Sequence, residues 1–146
     1  MKIESATRLR RPRGRLRHPL TDDAFLHRFE SASLDSFTHR DHIRVVYAYA
    51  RRGGIDHAVT CARLGLRHLT LAHGEPERYH ETLTTAWARL IAHHAVTHTG
   101  GDFEAFLEAH PRLLSRDLLL GHYSRERLFS PAARADFVEP DLRPLP

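Results

Sequence analysis

From Thr21 onward the apolar residues recur at helical spacing, and no alternating or β-branched run is long enough for a sheet. The pattern predicts an all-α fold, a compact helical bundle of about four main helices plus short C-terminal helices. Thr21 is placed to cap a first helix from Asp22 to about Ser31, with Phe25 and Phe29 on one side. Thr38 caps a second, His39 to Arg52, which Gly53 and Gly54 end. A third runs from Ile55 to His73, stopped by Gly74 and Pro76, and a fourth from about Arg78 to His98, stopped by Gly100 and Gly101. Asp102 caps a short fifth helix through Ala109, Leu113 to Leu120 form a further short apolar segment, and Ser130-Pro131 starts a last turn or two.

A rotation of about 100° per residue decides which side chains share a face. On the second helix His39, His42, Ile43, Val46, Tyr49 and Ala50 fall in one arc, with Arg40, Asp41, Arg44, Arg51 and Arg52 opposite. On the third, His73 aligns with Ile55, Val59, Ala62, Leu66 and Leu69, while His57 and His68 sit on the polar side. On the fourth, His80 joins the stripe of Leu83, Trp87, Leu90 and Ile91. Short connections make successive helices antiparallel, so His39, His42, His73 and His80 are expected at one end of the bundle. His94 lies 14 residues beyond His80, roughly 20 Å along the helix, and is expected outside the group.

Buried imidazoles need partners for both ring nitrogens, and a metal ion would satisfy one nitrogen of each. His39 and His42, at i and i+3, can reach a single ion at about 2.0–2.1 Å, and His80 is the expected third ligand from a facing helix. His73 is either a fourth ligand or a cap on the last carbonyls of its helix. Glu81 points about 100° away from His80, toward an arginine or a proton-transfer role. Tyr79, Tyr47 and Tyr123 are the hydroxyls that could move protons beside it.

The chain of 146 residues fits one domain. It divides into a flexible basic arm (1–20), a single helical domain (21–138) and a C-terminal tail (139–146). A 41% apolar and 27% charged composition is that of a soluble protein, and no stretch approaches the roughly 20 apolar residues of a membrane span. A cytoplasmic location is the expectation. The single cysteine, Cys61, rules out an internal disulfide and any Cys-rich zinc motif, so a metal must be held by nitrogen and oxygen. Seven Lys or Arg against Glu4 give the arm a net +6, against +4 for the whole chain, which leaves −2 on residues 21–146. The basic character therefore belongs to the arm, where weak, nonspecific binding to nucleic acid is expected if it occurs.

The segments Phe37-Thr38-His39-Arg40-Asp41-His42, His73-Gly74, Tyr79-His80-Glu81-Thr82-Leu83-Thr84 and Ser130-Pro131-Ala132-Ala133-Arg134 resemble a family of small uncharacterised bacterial helical proteins. The resemblance spans about residues 24 to 138 and leaves the arm outside. It implies that His39, His42, His73, His80, Glu81 and Thr84 belong to one recurrent site, and it carries no reaction with it.

These readings lead to the expectation of a small metal-dependent enzyme acting on a small-molecule substrate. His39, His42, His80 and His73 are its metal ligands, and Glu81, Tyr79 and Tyr47 its acid–base groups. The ion is a divalent transition metal, with zinc first and iron or copper as alternatives; three imidazoles with an open position suit hydrolysis, hydration or oxygen chemistry. The competing expectation is a regulatory or nucleic-acid-associated protein that uses the arm, with structural histidines.

Overall fold

A computed structural model describes residues 20–146; the arm, residues 1–19, lies outside the described residues. The fold is an all-α bundle, with no strand among those residues. Helix α1 is Asp22–Glu30, α2 is His39–Ala72, α3 is Glu81–Thr97, α4 is Phe103–Ala109, α5 is Arg125–Leu128 and α6 is Pro131–Ala135. Tight 3-10 turns occupy Pro76–Arg78, Pro111–Leu114 and Arg116–Gly121.

Each helix starts where side-chain chemistry satisfies its first N–H groups. Thr21, Asp102, Ser124 and Ser130 accept from the backbone three residues on, and Thr38 and Asp41 form a reciprocal capping box. Helix α2 breaks at Gly54, whose φ of 88° is strained for any side chain, and this divides it into arms 39–53 and 55–72. The break folds the second arm back along the first: Tyr49 and His57 rings meet at 5.7 Å. At one end of the bundle Arg51 reaches the His98 carbonyl, and at the other Arg63 and Arg67 reach Glu81. The first arm of α2 therefore runs parallel to α3, with the second arm antiparallel to both.

Helix α1 seals one side through Phe25, Leu26 and Phe29, all buried. Gly65 makes room for Phe29; a Cβ there would sit 2.2 Å from the ring. Phe29 in turn stacks on Phe37 at 5.5 Å.

The C-terminal residues are tied down rather than loose. The Leu142 and Arg143 amides donate to the His122 carbonyl, Asp141 accepts from the Ser124 amide and hydroxyl, and the Tyr123 hydroxyl donates to the Val138 carbonyl at 2.7 Å. These bonds hold the C-terminal tail, residues 139–146, to the helical domain. No described helix is long and apolar enough to cross a membrane.

Candidate functional site

The histidines expected at one end of the bundle have different fates, and the cause is where α3 begins. The fourth helix was expected from Arg78, which would place His80 on its inner face. Instead Pro76–Arg78 forms a 3-10 turn and His80 is the N-cap of α3. Its Nδ1 accepts the Leu83 amide at 3.0 Å, and its Nε2–H donates to the Leu128 carbonyl at 2.9 Å. Both ring nitrogens are spent on backbone, so in this arrangement His80 has none to give an ion. Burial, followed by the nearby Arg134 guanidinium, lowers its pKa, in keeping with the neutral tautomer that this pair of bonds requires.

His39 is also buried and bonded to backbone: its Nε2 lies 2.8 Å from the Leu113 carbonyl, and its ring meets the Trp87 indole edge-on at 4.7 Å. His42 is fully buried, and neither of its ring nitrogens has a hydrogen-bond partner. His73 ends α2 as its C-cap through its backbone, while its Nε2 is buried without a partner. Among the described residues no group of three or more His, Cys, Asp or Glu is arranged to hold a metal ion.

Glu81 and Tyr79 do come together. The Glu81 side chain is nearly closed off from solvent, and it accepts from Arg63 at 2.5 Å, Arg67 at 2.7 Å, the Tyr79 hydroxyl at 2.7 Å and Thr85 at 3.4 Å. Burial alone would raise its carboxyl pKa, but the bonds from Tyr79, Arg67 and Arg63 outweigh it and hold the group ionised below the usual carboxylate range. The Tyr79 hydroxyl is pushed up to about 12 by burial and by its bond to this carboxylate, so it does not ionise near neutrality. Tyr47 is elsewhere, packed on Phe103 and Phe106 of α4 at 5.4 and 4.8 Å. Its other neighbour is the Arg51 guanidinium, 6.0 Å from the ring centre. Tyr123 is fully buried and likewise committed, to the Val138 carbonyl.

Thr82 and Arg134 bind the C-terminal segment to this corner. The Thr82 hydroxyl donates to the Asp136 carbonyl and accepts the Val138 amide, and Arg134 donates to the carbonyls of Glu77 and Tyr79. Thr84 is buried, and its hydroxyl has no partner.

Beside His39 the chain leaves a cleft of about 230 Å³. Leu83, Trp87, Leu120, Leu128 and Phe129 supply its apolar walls; His39, Arg116, Asp117 and Arg125 supply its polar groups. Arg116, Arg125 and Phe129 are not legible as site residues in the sequence, because they come from a 3-10 turn and from the one-turn helix α5 and its end, too short to carry a helical periodicity. No protein family matches the chain, and no curated protein or solved structure matches it.

His42 gives a direct pH prediction. Burial, reinforced by His39, pushes its pKa from 6.5 down to about 3. The unfolded chain then binds the extra proton first, so the stability contributed by neutral His42 is complete above about pH 6.5 and is lost as the pH falls toward 3. The expected slope is about 1.4 kcal/mol per pH unit for this one proton. Urea unfolding at pH 7.5, 6.0 and 5.0 measures it. His42→Leu should hold or raise stability at pH 7.5, since it removes an unpaired buried donor, and should flatten the slope. An unchanged slope in the variant contradicts the burial of a neutral imidazole.

Proposed function

We propose that the protein binds a small anionic molecule with an aromatic or apolar body in the cleft between His39, Trp87 and Arg125. The observation that carries this reading is the composition of the cleft. The Arg125 guanidinium stands at its polar side beside Arg116 and Asp117, while an indole and a phenyl ring line the rest. Guanidinium groups match carboxylate or phosphate oxygens, and the rings accept a flat apolar body. At about 230 Å³ the space lies below the range of drug-sized pockets and suits a smaller ligand than those hold.

This reading keeps the small-molecule ligand expected from the sequence and moves its recognition off a histidine-held metal. For His80 to ligate an ion, the N-cap of α3 and the bond to Leu128 would both have to open. In the proposed role His80 backs the cleft through its bond to the Leu128 carbonyl, and His39 is the one histidine of the four that lines it.

Amide chemical-shift mapping of the full chain with phenyl phosphate and with benzoate tests the proposal. Saturable shifts should concentrate at His39, Leu83, Trp87, Leu120, Arg125 and Phe129. Shifts confined to other parts of the chain, or none at millimolar ligand, would refute it.

A further inference from the structure

The opposite end of the bundle carries a second histidine group. His94 and His98 lie at the end of α3, and His110 ends α4. The His110 ring meets His94 at 4.8 Å, His98 at 5.7 Å and Phe106 at 4.9 Å, centroid to centroid. His98 Nε2 is buried without a partner.

We propose that His94 and His110, with His98 packed on His110, form a proton-operated latch that holds α4 against the end of α3 when neutral and releases it when both of the paired rings are protonated. The carbonyls that end α3 attract one cation, so a first proton is tolerated. A second places two imidazolium rings in contact, partly shielded from water. The groups facing the cluster make this worse rather than better. His93 flanks His94 at 5.4 Å, and Arg51, from the first arm of α2, donates to the His98 carbonyl at 2.7 Å. Of the carboxylates on and before α4, Asp102 caps the helix by accepting the Ala105 amide, Glu104 pairs with Arg40, and Glu108, two residues before His110, is exposed to solvent. No carboxylate among the described residues forms an ion pair with any of the three histidines. The pKa directions agree: burial first, then the neighbouring imidazoles, lowers His94 and His110. A folded pKa below the unfolded one means the latch is fully closed above about pH 6.5 and weakens as the pH falls. The 98–102 connection, with Gly100 and Gly101 at positive φ, is the hinge on which α4 would move.

Amide hydrogen exchange of the full chain, at pH 7.5 and 5.0 and corrected for the intrinsic pH dependence, tests this. A His42→Leu background removes that residue's global acid effect. The region 94–110 should open at least about tenfold more at pH 5.0, the equivalent of one pKa unit. His110→Phe keeps the packing on Phe106 and should abolish the gain; His110→Gln serves the same purpose if the phenylalanine variant fails to fold. Equal opening at both pH values, or the same gain in a folded His110 variant, overturns the proposal.

Discussion

Glu81→Ala should lower stability by about 3 kcal/mol, the scale of losing charge-assisted hydrogen bonds to one buried acceptor. The figure is held down because the Arg63 and Arg67 side chains are 40% and 52% exposed and return to water when released. The Tyr79 and Thr85 hydroxyls lose their acceptor in a half-buried and a buried setting, and the α3 start loses its negative charge. For a domain of this size the melting temperature should fall by about 10 °C. Glu81→Gln keeps the shape and one acceptor oxygen and should lose about half as much. Thermal unfolding of both variants decides the matter. A melting temperature within about 2 °C of the parent for Glu81→Ala would show that the carboxylate is not part of the scaffold.

His80→Ala should cost a comparable amount, about 3 kcal/mol. It removes the N-cap of α3, worth about 1 kcal/mol, and strands the Leu128 carbonyl, worth about 1–3 kcal/mol. His80→Asn separates the two contributions. Asparagine caps a helix well but is too short to keep the bond to Leu128, so it should recover about 1 kcal/mol of the loss. The metal-ligand expectation makes the opposite prediction: His80→Ala would remain stable and lose only metal affinity. Denaturant unfolding beside a zinc titration of the same variants separates them.

Much of the bundle is legible in the sequence because its boundaries are set locally. Thr21, Thr38, Asp102 and Ser130 cap the helices expected of them, and the Gly53-Gly54 pair breaks the chain where the pattern does. The candidate site is less legible, since three residues decide it. With α3 starting at Glu81 rather than Arg78, His80 passes from an inward helical position to a cap, and its chemistry changes with it. The local signal was present: a proline-initiated turn at Pro76 followed by Glu81 in a first helical turn. Histidine is not among the preferred caps, however, and the periodicity of Leu83, Trp87 and Leu90 extends naturally back through it. The pairing of Glu81 with arginine was foreseen as a possibility from its angle on the helix. Its partners were not, because Arg63 and Arg67 are brought there only by the reversal at Gly54. The cleft was invisible for a similar reason. Arg116, Arg125 and Phe129 reach the cleft through short turns and the single turn of α5, whose course is fixed by long-range bonds such as His39 to Leu113 and His80 to Leu128.

Trp87 is the only tryptophan in the chain, and it forms a wall of the cleft, so its fluorescence reports on that wall. Titration with phenyl phosphate should give a saturable change in Trp87 emission in the parent protein. In Arg125→Glu the affinity should fall at least about tenfold, the equivalent of 1.4 kcal/mol, without loss of fold. An emission that does not respond, or a response of equal affinity in Arg125→Glu, would contradict an anion-binding cleft at His39 and Trp87.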